Sequence, residues 1–149
     1  MFKFIIQNTP LVAIDLIVKD KEGKILLGKR KNRPAKNFYF VPGGRIFKNE
    51  RLDEAFESIT ENELGIPLKR QNAKFLGVYE HIYPDNFFGN EFGTHYIVLA
   101  HIIEIDFELP LPKDQHEDYI WLTPTQILKR EDIHEYTKNY FRGNLDELK

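Results

Sequence analysis

The chain has no cysteine, no large excess of either charge and no long apolar run. Without cysteine it can form neither a disulfide framework nor a thiolate zinc site, which is compatible with a reducing compartment. Its formal net charge is −2, whereas non-specific nucleic-acid binding requires a surface rich in lysine and arginine. No apolar run approaches the roughly 20 residues that span a bilayer, and the first residues, MFKFIIQNTP, lack the pattern of a signal peptide. We therefore expect a soluble cytoplasmic protein without nucleic-acid or membrane partners.

The composition is that of an ordinary globular protein apart from its aromatic content. With 149 residues, of which 42% are hydrophobic, the chain is long enough for one domain with a substantial core. We expect a single domain over residues 1–149. Aromatic residues make up 13% of the chain. They serve either a large core or a stacking surface for a flat ligand.

Hydrophobic patterning predicts elements in the order β-β-β-α-β-β-β-α-α. The first strand, 11–18, is apolar except for Asp15. Strands follow over 24–28 and 38–41, and a helix over 51–64 ends at Gly65. Further strands are predicted over 73–83, 94–105 and 118–122, with a short helix after Thr123-Pro124 and a last one over 132–141. This order predicts an α+β fold with a mixed sheet and helices packed on it.

The segment GGRIFKNERLDEAFESITENELG (43–65) joins a glycine turn to an acidic helix. Two glycines let the backbone turn sharply towards a ligand, and carboxylates suit hard cations such as Mg²⁺. By residue type alone, a solvated acidic helix face explains the same run. The spacing resembles the Nudix box, G-x5-E-x7-R-E-U-x-E-E-x-G-U, where U is aliphatic. Three of the four charged positions after Glu50 are replaced, by Ser58, Ile59 and Asn62, and Thr60 occupies an aliphatic position.

Beyond this box, the chain resembles the GDP-mannose mannosyl hydrolase branch of the Nudix superfamily. The resemblance is carried by TPLVAIDLIV (9–18), LLGKRKNRPA (26–35), FVPGGR (40–45), ELG (63–65), GVYEHIYPDNFFG (77–89), THYIVL (94–99) and DQHEDYIWL (114–122). It implies the Nudix fold, with a mixed β-sheet sandwiched between α-helices, and a homodimer. It also implies hydrolysis of GDP-mannose or a related GDP-sugar to GDP and free sugar, dependent on Mg²⁺ or Mn²⁺. In that branch water attacks the anomeric carbon of the sugar with inversion.

The resemblance also implies roles for individual residues. The metal ligands would be the Gly43 carbonyl, Glu63 and Gln115, and His116 would be the general base. Arg30, Arg45 and Tyr96 would assist at the reacting site. The substrate-binding residues would be Asp15, Arg30, Phe2, His81 and Tyr83.

Three of these residues, His116, Arg30 and Asp15, also have an ordinary explanation by residue type alone. A lone histidine such as His116 is usually solvated in a loop. The cluster Lys29, Arg30, Lys31 and Arg33 is also typical of a solvated edge. Asp15, a carboxylate inside an apolar strand, could serve as the structural partner of a cation, because burying it unpaired is costly.

Two alternative functions stay open. One is a conventional Nudix pyrophosphohydrolase that yields a nucleoside monophosphate and a sugar 1-phosphate, against which the missing box glutamates count. The other is a non-catalytic nucleotide-sugar-binding protein. Ser58 keeps this second alternative open, because serine cannot supply the positive charge of the box arginine.

Overall fold

The computed structural model describes residues 1–113 and 118–143. Gln115 and His116 lie outside these residues. Seven strands form one sheet: β1 (Leu11–Lys19), β2 (Ile25–Lys29), β3 (Tyr39–Phe40), β4 (Gly43–Arg45), β5 (Lys74–Tyr83), β6 (Thr94–Glu104) and β7 (Tyr119–Leu122). The helices are α1 (Phe2–Asn8), α2 (Leu52–Leu64), α3 (Pro124–Lys129) and α4 (Glu135–Asn139), with a 3-10 turn at Arg70–Asn72.

The sheet is mixed. Its main path runs β3-β2-β1-β6-β5, with β4 added beside β1 and β7 beside β2. The long central strands β1 and β6 are parallel, whereas β5 runs antiparallel to β6 and β4 antiparallel to β1. Because side chains alternate between the two faces of a strand, this register determines which residues of all four strands share a face.

Both faces of the sheet are covered by apolar side chains. On one face α2 packs with Ala55, Phe56, Ile59 and Leu64 against residues of β1, β2 and β6. On the other, Ile127, Ile133, Tyr140 and Phe141 from the C-terminal segment pack against β1, β2 and β6. This confirms the predicted α+β fold with a mixed sheet between helices. Among the described residues, no helix is long and apolar enough to cross a bilayer.

The structure contains the six predicted strands and three predicted helices, and it adds two elements. The sequence pattern missed α1 at the N-terminus and β4, which is the segment Gly43-Gly44-Arg45. Two glycines give β4 no strand propensity of its own, so it forms because β1 supplies the hydrogen-bonding partner. The last helix is also shorter than predicted, since 132–141 contains only the helix Glu135–Asn139.

Candidate functional site

The strand register brings polar residues from distant parts of the chain into one cavity of about 200 Å³. Asp15 of β1 pairs with Gly43 of β4, and His81 of β5 pairs with Tyr96 of β6. Eight of the sequence-predicted site residues line the cavity: Asp15, Arg30, Gly43, Arg45, Glu63, His81, Tyr83 and Tyr96. Phe2 does not line it but packs against Arg45. Gln115 and His116 lie outside the described residues, so their roles stay predictions.

Asp15 is the most perturbed carboxyl of the cavity. Burial raises its pKa to about 7, although a hydrogen bond from Tyr140 and the nearby charge of Arg30 both lower it. The Tyr140 hydroxyl donates to Asp15 Oδ2 at 2.5 Å. The sequence allowed for a cation in contact with Asp15. In the structure the group in direct contact is the Tyr140 hydroxyl, and Arg30 is a nearby positive charge. A carboxyl in this setting can accept hydrogen bonds from a ligand at neutral pH.

Two guanidinium groups face the cavity, and aromatic rings support both. Arg30 follows β2 and lies over the Phe40 ring, 5.5 Å from its centroid. Arg45, at the end of β4, lies 4.1 Å from the centroid of Phe2 and 4.6 Å from that of Phe47. Cation–π contacts of this kind hold a guanidinium in place through its face and leave the N–H donors at its edges for other partners. Arg30 uses one of them, because its Nε donates to the Asn32 carbonyl at 3.4 Å. Such donors match the paired oxygens of a phosphate.

Glu63, near the C-terminal end of α2, reaches the cavity and contacts Gly43 of β4, the segment that the sequence predicted as a glycine turn. It is only 8% exposed, and its Oε1 accepts a hydrogen bond from the Gly43 N–H at 3.2 Å. No group of three or more His, Cys, Asp or Glu that could hold a metal ion occurs among residues 1–113 and 118–143. Mg²⁺, however, needs only one or two carboxylates when substrate phosphates and waters complete its shell. Glu63 and the Gly43 carbonyl therefore fit an ion that binds together with a phosphorylated substrate.

Part of the cavity wall is aromatic, formed by Phe40, Tyr83, Tyr96 and the imidazole of His81. The His81 ring stacks on Tyr136 at a centroid distance of 4.5 Å and an interplanar angle of 5°. Burial lowers the pKa of His81 to about 4, so its imidazole is neutral at pH 7. Burial also raises the pKa of the Tyr83 and Tyr96 hydroxyls, which stay protonated. His81, Tyr83 and Tyr96 offer the cavity neutral hydrogen-bonding groups and ring surfaces, whereas Tyr136 does not line it.

The replaced box positions line a neighbouring hollow of about 220 Å³ between α2 and the segment after β4. It shares Gly43, Gly44, Arg45 and Glu63 with the cavity and also contains Ser58, Ile59 and Asn62. Ser58 and Asn62 are exposed, whereas Ile59 is 5% exposed and packs into the core under α2. Position 59, where the Nudix box has a glutamate, is therefore occupied by an isoleucine that packs in the core.

Sequence reasoning missed three residues that support the site. Tyr140 holds Asp15, Phe47 packs on Arg45, and Phe40 lies under Arg30 and also lines the cavity. The sequence pattern placed Tyr140 in a predicted amphipathic helix and Phe47 after a predicted turn, and it indicated nothing further about either residue. Nothing in the sequence linked Tyr140 to Asp15, which lies 125 positions away.

Comparisons with known proteins agree with this architecture. The family model of the NUDIX domain matches residues 9–142. The low-salt glycan biosynthesis protein Agl8 of Haloferax volcanii is 34% identical over 136 residues, which cover 91% of this chain and 83% of that protein. An ADP-ribose pyrophosphatase of Methanocaldococcus jannaschii is 41% identical over 70 residues, 47% of this chain and 40% of that protein.

Among solved structures, a MutT NUDIX hydrolase from Burkholderia pseudomallei superposes with a TM-score of 0.72 at 26% identity. The superposition covers 90% of this chain and 97% of that one. Fold, box spacing and sequence similarity agree, and the chain belongs to the Nudix hydrolase family.

Proposed function

We propose that this Nudix protein hydrolyses GDP-mannose or a related GDP-sugar to GDP and free sugar, as a cytoplasmic enzyme whose single domain spans residues 1–149. The observation that carries the proposal is the cavity itself. It combines two ring-supported guanidinium groups, Arg30 and Arg45, with a partly buried carboxyl, Asp15, and with Glu63. The guanidinium groups suit a pyrophosphate, and Asp15 suits sugar hydroxyls.

The reaction proposed is a substitution at carbon. Water attacks the anomeric carbon while His116 accepts its proton, and the bond from that carbon to the pyrophosphate oxygen breaks. GDP departs with the bonding electron pair, and the sugar is released with inverted configuration. Imidazole is suited to this task because its unperturbed pKa lies near neutrality. Arg30 and Arg45 stabilise the negative charge that develops on GDP, and Tyr96 donates a hydrogen bond at the reacting site.

The metal would be held by the Gly43 carbonyl, Glu63 and Gln115. When bound, Mg²⁺, or Mn²⁺ in its place, supplies charge neutralisation on the pyrophosphate. Asp15, His81 and Tyr83 would bind the sugar, and Phe2 would lie near the guanine. The similarity to a protein named for glycan biosynthesis supports a sugar-bearing substrate.

A second candidate is a pyrophosphohydrolase that cleaves between the phosphates. The similarity of 70 residues to an ADP-ribose pyrophosphatase favours it. The replacements Ser58, Ile59 and Asn62 count against it, because attack on phosphorus in this family relies on the charged helix that they interrupt. A third candidate, a nucleotide-sugar-binding protein without turnover, is kept open by Ser58.

Hydrolysis in ¹⁸O-water with Mg²⁺ separates the three candidates. We expect GDP and ¹⁸O-labelled free sugar from GDP-mannose, tested beside GDP-fucose, GDP-glucose, UDP-sugars and dTDP-sugars. Nucleoside monophosphate and sugar 1-phosphate as products would establish the pyrophosphohydrolase instead. Tight binding of a nucleotide sugar with no product would establish the binding protein.

The variant His116→Gln tests the proposed general base. We expect its rate of sugar release to fall by about 10²–10⁴-fold, the usual worth of general acid–base catalysis. The affinity for GDP should stay within about twofold of wild type, because the base acts on water. An unchanged rate would rule out this role for His116.

We also propose a homodimer as the working form. Light scattering of the purified chain should give a mass of two chains. A monomer with full turnover would contradict this part of the proposal.

A further inference from the structure

We infer that Tyr140 is a positioning residue that fixes the carboxyl of Asp15 for the sugar of the substrate. The inference rests on the proposed function, since it assigns the cavity to a nucleotide sugar. Tyr140 lies directly after α4 and is 3% exposed. Its ring packs edge-on against Tyr79 at a centroid distance of 4.7 Å, and its hydroxyl donates to Asp15 Oδ2 at 2.5 Å.

His81 extends this contact into a chain of three side chains. The Tyr140 oxygen lies 3.4 Å from His81 Nε2. Because the tyrosine donates its one proton to Asp15, this second contact is a hydrogen bond only when His81 Nε2 carries a proton and donates it. A neutral imidazole in that tautomer meets the condition. The chain then runs from His81 through Tyr140 to Asp15, and its first and last members both line the cavity.

The chain leaves one oxygen of Asp15 available. Oδ2 is occupied by Tyr140, whereas Oδ1 lies beside Gly43, where a Cβ would collide with it. The glycine at position 43 leaves room for Oδ1, and the tyrosine hydroxyl holds the carboxyl in this orientation. A carboxylate oxygen held in this way can accept from a sugar hydroxyl without first losing the freedom to rotate.

The competing explanation is that Tyr140 only compensates for the burial of Asp15. The two explanations differ in which ligand is affected. If Tyr140 positions Asp15, it affects only the contact with the sugar. Removal of its hydroxyl should then weaken binding of the nucleotide sugar and leave the affinity for GDP unchanged. A purely structural role should weaken both ligands equally or neither.

The experiment compares Tyr140→Phe with Tyr136→Phe by calorimetry and kinetics in the presence of Mg²⁺. Phenylalanine keeps each ring and removes only the hydroxyl. Tyr136 belongs to the same aromatic cluster, but its hydroxyl bonds the backbone of Ile82. We expect Tyr140→Phe to raise the KM and the Kd for GDP-mannose about 10-fold, the usual worth of a hydrogen bond to a charged group. The Kd for GDP should stay within about twofold, and Tyr136→Phe should change neither ligand.

A second variant guards against an effect through misfolding. In an Asp15→Asn background the same Tyr140→Phe change should have no further effect on the difference between GDP-mannose and GDP, because the carboxyl that it positions is gone. A persisting effect would overturn the inference, as would equal losses for both ligands or no loss for either. Failure of the proposed function would give a different result. If the wild-type protein binds the nucleotide sugar but releases no free sugar, the proposed function is wrong. The difference in Kd between GDP-mannose and GDP would still test the role of Tyr140.

Discussion

A single methyl group at position 43 would collide with Asp15 Oδ1 and lie 2.6 Å from the carbonyl oxygen of Ile14. Gly43 is therefore required by the close approach of β4 to the Asp15 side chain. We expect Gly43→Ala to displace this carboxyl, to reduce turnover strongly and to cost about 1–3 kcal/mol of stability through overpacking. Activity assays and thermal unfolding of the purified variant measure the two effects.

The neighbouring glycine provides a control for this change. The three atoms nearest to a Cβ at Gly44 would be side-chain carbons of Ile59, the first at 3.1 Å, and a side chain can yield more readily than backbone. We expect Gly44→Ala to lose less stability than Gly43→Ala. Equal losses would mean that contact with Asp15 is not the reason for glycine at position 43.

Thr60 shows why a polar residue stands at an aliphatic position of the box helix. Its side chain is fully buried, and its hydroxyl accepts from the Leu68 N–H at 2.8 Å and donates to the Glu57 carbonyl at 3.0 Å. We expect Thr60→Val to lose about 1–3 kcal/mol in urea denaturation, since the partly buried Leu68 N–H is left without its partner. Thr60→Ser keeps the hydroxyl and should lose less. A valine variant as stable as wild type would contradict this interpretation.

At the scale of elements, Arg45 depends on two segments that flank β4. Phe2 of α1 and Phe47 of the following loop pack on its guanidinium from ring distances of 4.1 and 4.6 Å. We expect Phe47→Ala to raise the KM for the substrate about 2–5-fold, the worth of one exposed cation–π contact, with kcat nearly unchanged. Phe107→Ala, which removes an exposed phenylalanine outside the cavity, is the control. A KM unchanged in both variants would show that Phe47 does not support Arg45.

For the whole molecule, the buried titrating groups set the response of stability to acid. Burial lowers the pKa of His81 to about 4 and lowers the pKa of His101 and His134 as well. In the unfolded chain these histidines have a pKa of about 6.5, so as pH falls they bind protons in the unfolded chain before they do so in the folded one. The free energy of unfolding therefore falls as pH falls. Asp15 acts in the opposite direction, because its raised pKa lets the folded chain hold a proton that the unfolded chain has released.

The shifts of His81 and Asp15 oppose each other and are of similar size, so His101 and His134 decide the net response as pH falls from about 6.5 towards 4.5. Both have lowered pKa values, so unfolding midpoints in urea should decrease with acid across this range. His101 lies between Phe56 and Phe75, away from the cavity, and so offers a clean test. We expect His101→Gln to flatten the slope by up to about 1.4 kcal/mol per pH unit. A slope identical to that of wild type would rule out His101 as a contributor.

The periodicity and turn residues determined most of the fold, because strands such as β1 and the helix α2 are decided by local alternation and spacing. They could not predict β4, since Gly43-Gly44-Arg45 has no local preference for a strand and pairs only where β1 is present. The family resemblance likewise indicated the residues Asp15, Arg30, Arg45 and Glu63, but the sequence did not show that they share one cavity. That placement follows from strand register, which depends on contacts between distant parts of the chain.

Most of the elements, the family spacing and the chemistry of the candidate side chains can be predicted from the sequence, because they depend on residue type and near-neighbour spacing. The hydrogen bond from Tyr140 to Asp15, the packing of Phe2 and Phe47 on Arg45 and the burial of Ile59 in the core become visible only in the folded chain. Each of these contacts depends on packing between separate segments, and one hydroxyl from the end of the chain fixes the orientation of a carboxyl near its beginning.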